Sequence, residues 1–254
     1  MGWLSCLTLL LAGLLSPLSA APPRDPVVFI SAFAKGDQGA IQAYSLDLKS
    51  GALKPLHRTA GVDNPFFLTL SPDRKFLYAI HAKQFGGKEN EEVAAYAITG
   101  RTGELKLLNR QSARGTASCY LNVDATGRTL VVANYTSGSV ASLPVNPDGS
   151  LREAASFFQH AGSSVDPKRQ KEPHAHSIVV SPDNRFAYAA DLGLDQILCY
   201  RLDARAGTLT PNQPPFAKTP AGAGPRHLIF HPNGKLVYVI NEISNSISVF
   251  AWDA

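Results

Sequence analysis

Short runs in which apolar and polar residues alternate recur along the chain from about Val27, each closing on a turn-forming cluster. Ile41-Gln42-Ala43-Tyr44 leads into Ser50-Gly51-Ala52-Leu53, and Val93-Ala94-Ala95-Tyr96 leads into Thr102-Gly103-Glu104-Leu105. Alternation with period two places successive side chains on opposite faces of a strand, and Gly supplies the positive φ that a tight connection needs. No long stretch carries a 3.6-residue apolar period, so strands are expected almost throughout.

The strands fall into a repeat. Ser71-Pro72-Asp73-Arg74-Lys75-Phe76-Leu77-Tyr78 returns as Asp124-Ala125-Thr126-Gly127-Arg128-Thr129-Leu130-Val131. Further copies are Ser181-Pro182-Asp183-Asn184-Arg185-Phe186-Ala187-Tyr188 and His231-Pro232-Asn233-Gly234-Lys235-Leu236-Val237-Tyr238. Their starts lie 53, 57 and 50 residues apart, and the interleaved turn glycines Gly51, Gly103, Gly149 and Gly207 are spaced by 52, 46 and 58. Four short strands in about fifty residues is the blade of a β-propeller. The expected fold is therefore an all-β propeller over residues 22–254. Asn245 to Asp253 matches the third strand of a blade, so the chain is expected to stop after about four and a half blades, a truncated ring.

Propeller symmetry turns register into position. The strand before each Pro-Asp-type turn is expected to be innermost, and its first position holds Phe66, Cys119, His176 and Arg226 in successive blades. Two residues earlier stand Asn64, Ala117, His174 and Gly224; one residue later stand Phe67, Tyr120, Ser177 and His227. Past each turn come His81, Asn134, Asp191 and Asn241, followed by Ala82, Tyr135, Leu192 and Glu242. Imidazoles, a guanidinium and a carboxylate thus converge on one channel. The same groups would equally cap strands or bridge blades, and both readings stand at this point.

Composition changes the picture only at the edges. The chain has 254 residues, 44% of them hydrophobic, with 24 Lys+Arg against 20 Asp+Glu, and no long run of like charge, so no nucleic-acid partner is expected. Twenty Gly and 18 Pro suit a turn-rich chain, and three Cys are too few for a disulfide scaffold. Trp3 to Leu18 is uncharged and Leu-rich, and Ser19-Ala20-Ala21 follows it. That run is short for a membrane span and fits a secretory signal over residues 1–21, so an exported protein without a membrane span after processing is expected, with a cytoplasmic one the alternative if the start codon is misassigned.

Three segments carry a resemblance to a known family: Glu172-Pro173-His174-Ala175-His176-Ser177, Ala190-Asp191-Leu192-Gly193-Leu194-Asp195, and Gly222-Ala223-Gly224-Pro225-Arg226-His227 through His231-Pro232-Asn233-Gly234. Together with Ala133-Asn134-Tyr135, Gly138-Ser139-Val140 and Gly162-Ser163-Ser164-Val165, the chain resembles the lactonase family of seven-bladed propellers. Bacterial 6-phosphogluconolactonase typifies that family, and fungal carboxymuconate cyclase is related. The resemblance implies catalytic roles for His176 (or His174), Arg226 and Glu242, with His174, His227, Asn134, Tyr135 and Asn64 as candidate substrate contacts. It also implies a further Arg in a later blade that this chain lacks, and His81-Ala82 replaces an Asn-Glu frequent in the early blade.

Opening a lactone needs a base for water, positive charge for the oxyanion and a proton for the leaving ring oxygen; His, Arg and Glu are suited to these tasks. The expected activity is hydrolysis of a small sugar-acid lactone, 6-phosphogluconolactonase-like, with no cofactor. No nucleophile elbow, P-loop or dinucleotide fingerprint is present. A metal held by His174, His176 and Glu242 is the alternative chemistry, and an exported, non-catalytic binding propeller is the alternative function.

Overall fold

The computed structural model describes residues 25–82 and 84–253; the expected signal segment lies outside them. Among the described residues there are eighteen strands in five antiparallel sheets, one 3₁₀ turn, and no helix long and apolar enough to cross a membrane. The first sheet contains β1 (Val27–Ala32), β2 (Ala40–Leu46) and β3 (Leu53–Ala60). The second contains β4 (Leu68–Leu70), β5 (Phe76–His81), β6 (Glu92–Thr99) and β7 (Glu104–Ser112). The third is β8 (Ser118–Val123), β9 (Thr129–Asn134), β10 (Ser139–Pro144) and β11 (Ser156–Gln159). The fourth is β12 (Ala175–Val180), β13 (Phe186–Asp191), β14 (Gln196–Asp203) and β15 (Thr208–Lys218). The fifth is β16 (Pro225–Phe230), β17 (Leu236–Asn241) and β18 (Ser246–Ala251).

Three complete blades are thus flanked by two three-stranded sheets, and the sheets do not close into a ring. The eighteen strands amount to the expected four and a half blades, with the shortfall split between the ends: among the described residues the first sheet lacks an innermost strand and the fifth an outermost one. The first strands of successive sheets, β8, β12 and β16, lie against one another at the centre, as the register required.

The repeated turns are built alike. Their fourth residues, Arg74, Gly127, Asn184 and Gly234, all adopt positive φ (58°, 72°, 60° and 65°). In each the fourth residue's N–H donates to the first residue's carbonyl, and the first residue's N–H donates to the sixth residue's carbonyl at about the same 2.9 Å.

The core lies between sheets. Leu130 and Val132 pack toward Tyr78, Ile80 and Val93 of the second sheet, whereas Val131 and Ala133 pack toward Ile178, Ala187 and Ala189 of the fourth. The whole of β9 is buried because both of its faces meet a neighbouring blade. Among the described residues the last sheet packs against one neighbour, the fourth, leaving Ile229, Ile240, Ile247 and Val249 more than half exposed.

One irregularity positions the site. In β8, β12 and β16 the register shifts by one residue at the same place, and the residues set out of the ladder are Cys119, His176 and Arg226. A bulge re-aims the side chain it carries. Here it turns the first innermost position of each blade toward its neighbours.

Candidate active site

His176 and Arg226 come from the bulges of adjacent blades, and Glu242 directly follows β17, its N–H held by the Gly224 carbonyl at 2.8 Å. Arg226 Nε donates to His176 Nε2 at 3.2 Å and stands 3.0 Å from Glu242 Oε2, which is 3.7 Å from His176 Nε2. An open depression of about 790 Å³, lined by Arg226, Asn241, Glu242 and Ile247 among others, adjoins them.

Aromatic and imidazole rings form the surround. Tyr135 stacks on His174 at 4.5 Å between centroids and meets His176 edge-on at 5.2 Å. His227 sits 5.2 Å from His176 and 5.2 Å from Tyr120, which leans on Phe67 at 4.5 Å. His174 precedes β12, and the bulge breaks its simple alternation with His176. His174 Nδ1 is spent on the Tyr135 carbonyl at 3.1 Å. Among the described residues no group of three or more His, Cys, Asp or Glu is placed to hold a metal ion.

Burial lowers the His176 pKa; the Arg226 and Arg169 charges push the same way, against a hydrogen bond to its own backbone and the Glu242 charge. His227 is pushed down to about 4 by burial, then by His176 and Arg226. Both imidazoles are therefore neutral at pH 7, and Nε2 of His176 is an acceptor, as its bond from Arg226 requires. Burial works to raise Glu242, but the Arg169 hydrogen bond and the charges of Arg169, His176 and Arg226 outweigh it and hold the carboxyl low. Behind His176, the Cys119 thiol donates to the His176 carbonyl at 3.3 Å. Burial pushes that thiol far up, so it stays neutral, and neither Cys119 nor Cys199 is paired.

Two expected contacts lie elsewhere. Asn134 has no exposed surface; its amide donates to the Ala113 carbonyl and Ser139 Oγ, and its oxygen accepts from Ser118 Oγ. Asn64 is buried, donating to the Ala82 carbonyl. Both end up tying a strand end to its preceding loop, because a polar group buried at a blade corner must be satisfied. The residue not foreseen is Arg169. Its Nη2 reaches Glu242 Oε1 at 2.6 Å and the Tyr135 hydroxyl at 3.0 Å. The available signal was length: fifteen residues join β11 to β12, against five between β7 and β8 and six between β15 and β16.

The model of the lactonase, 7-bladed β-propeller family matches residues 27–254. The chain belongs to this family. Its lactonase relatives include the 6-phosphogluconolactonase of Bacillus subtilis (strain 168), 35% identical over 86% of this chain and 60% of that protein. A crystal structure from Bacteroides fragilis aligns with a TM-score of 0.84 and 32% identity, over 92% of this chain and 66% of that one. The periplasmic gluconolactonase of Pseudomonas aeruginosa aligns with a TM-score of 0.80 and 33% identity, over 90% and 65%. The chain thus spans less than two thirds of the length of these lactonase-family proteins.

Proposed function

We propose that the protein hydrolyses a sugar-acid lactone of the 6-phosphogluconolactone type. The observation that carries this reading is the mutual contact of His176, Arg226 and Glu242, at 3.0 to 3.7 Å, beside an open depression. The names of the relatives support the same chemistry.

In this reading neutral His176 is the base. As Arg226 turns its N–H from Nε2 to the lactone carbonyl oxygen, the freed Nε2 lone pair takes a proton from a water whose oxygen bonds to the carbonyl carbon. The carbonyl electron pair moves onto oxygen, and the Arg226 guanidinium stabilises that oxyanion. When the tetrahedral intermediate collapses, the ring C–O bond breaks and His176 returns its proton to the leaving oxygen, giving the open hydroxy acid. Glu242 is too acidic to be an effective base; it fixes Arg226 and stabilises the transient imidazolium. The Leu-rich segment before residue 22 and the periplasmic relative support export.

The test is lactone opening followed by pH-stat above the spontaneous rate, using the full-length protein. His176→Ala and Arg226→Ala are each expected to lower kcat by about 10²- to 10⁴-fold. Unchanged rates in both variants would overturn the assignment. A folded protein with no rate above background would make it a binding propeller instead.

A further inference from the structure

Arg169 is not part of the reacting trio, and its setting points to a different task. Connections of about fifteen residues without regular structure are uncommon and tend to be functional. The one from His160 to His174 is not loose. Gln170, fully buried, donates through Nε2 to the Leu192 carbonyl at 2.8 Å and accepts the Asp166 N–H at 3.0 Å. Ser164 donates to the buried Asp195 carboxylate at 2.6 Å, and the same carboxylate accepts the N–H groups of Gly222 and Gly224, both at 2.7 Å. One buried anion therefore joins the segment carrying Arg169 to the loop that leads into Arg226. Two close backbone passages complete the clasp: a Cβ on Gly193 would overlap the Glu172 carbonyl, and one on Gly138 the Pro173 carbonyl.

So held, Arg169 reaches across the mouth of the fourth blade. Its Nη2 serves both Tyr135 and Glu242, and among the described residues no bond is made at Nε or Nη1 of a side chain that is 44% exposed. It contacts Glu242 Oε1, whereas Arg226 and His176 face Oε2. Arg169 therefore stands on the opposite side of the Glu242 carboxylate from the groups proposed to act on the carbonyl. Two guanidiniums against a single carboxylate leave the cluster with an unbalanced positive charge while His176 and His227 are neutral. The Tyr135 hydroxyl, accepting from Arg169, keeps its own proton to donate, and the stacked His174 ring fixes its orientation.

We propose that Arg169 and the Tyr135 hydroxyl form a subsite for an anionic substituent of the lactone, a phosphate or a carboxylate remote from the reacting carbonyl. The inference rests on the lactonase reading above. It makes Arg169 a specificity-determining residue. Guanidinium donors recognise tetrahedral and planar oxyanions through directed N–H bonds that an ammonium group does not reproduce.

The experiment compares δ-gluconolactone, its 6-phosphate and a glucarolactone, the last carrying a carboxylate, on full-length wild type, Arg169→Gln and Arg169→Lys. Charge-assisted bonds of this kind are worth about 1.5–3 kcal/mol, roughly 10- to 150-fold. Arg169→Gln is expected to cut the preference for an anionic over the neutral lactone by at least tenfold, mainly through KM, and Arg169→Lys to recover part of it. Which of the two anions loses more identifies the group that binds. An unchanged preference for both would overturn the subsite. Calorimetric titration with 6-phosphogluconate separates this from the lactonase reading. Arg169-dependent binding without any turnover would uphold the subsite and sink the lactonase; turnover with an Arg169-independent preference would do the reverse.

Discussion

At the scale of single residues, function depends on charge states that neighbours impose. His176, largely buried, is kept below its ordinary range first by desolvation and then by Arg226 and Arg169, while Glu242 pulls the other way. In the proposed role of base it works only when unprotonated, so kcat/KM is expected to fall on acidification with an apparent pKa below the unperturbed imidazole value of about 6.5. Replacing Glu242 by Gln removes the anion that favours the imidazolium, so in the free enzyme the limb should move to still lower pH. Loss of the limb in Glu242→Gln, measured from pH 4 to 8, would show that Glu242 and not His176 supplies it. The channel-facing positions of His176, Arg226 and Glu242 were legible from register because a propeller repeats each position by rotation. Asn134 and Asn64 share that register, yet their burial is invisible in it, and they serve blade corners instead.

At the scale of elements, bulges and buried anions do the positioning. The same one-residue shift at Cys119, His176 and Arg226 lets three blades present different chemistry from one geometry. Asp195, 4% exposed, couples the Arg169 segment to the start of β16 through three short hydrogen bonds. In Asp195→Asn the amide nitrogen would replace one accepting oxygen and face donors. A stability loss of about 2–4 kcal/mol is expected in urea unfolding, as for other broken buried charge networks. Activity should fall with it, since both guanidiniums lose their anchor. A change within about 0.5 kcal/mol, the range of ordinary surface substitutions, would mean the two loops are held independently. Nothing in the local sequence marks Asp195 for this role, because Ser164 and Gly222 lie 31 and 27 residues away.

At the scale of the whole molecule, stability is the sum of inter-blade faces, and acid should weaken it in a defined window. His81 is pushed down to about 4, chiefly by burial and then by Arg110; its Nε2 accepts the Asp63 N–H at 3.2 Å. His227 is held down to the same level. The unfolded chain binds protons on these side chains from about pH 6.5 downward, and the folded chain only near 4. Their contribution is thus fully present above about 6.5 and lost as pH falls toward 4. Urea midpoints should drop between pH 7 and pH 4.5, and His81→Gln, which keeps an acceptor, should reduce that drop. An equal drop in both proteins would exclude His81 as a source.

The periodicity of turns and alternating strands was enough by itself to determine the blade, its four strands and the channel-facing register, because those features follow from local backbone geometry repeated about every fifty residues. It also put His176, Arg226 and Glu242 at channel-facing positions, since rotation maps register onto the channel, and the family resemblance singled them out as candidates. Only the tertiary structure decided which polar residues are buried in corners, that the bulges aim His176 at Arg226, and that Arg169 joins Glu242. Those outcomes depend on contacts between blades, where one residue's charge and burial are set by side chains dozens of positions away.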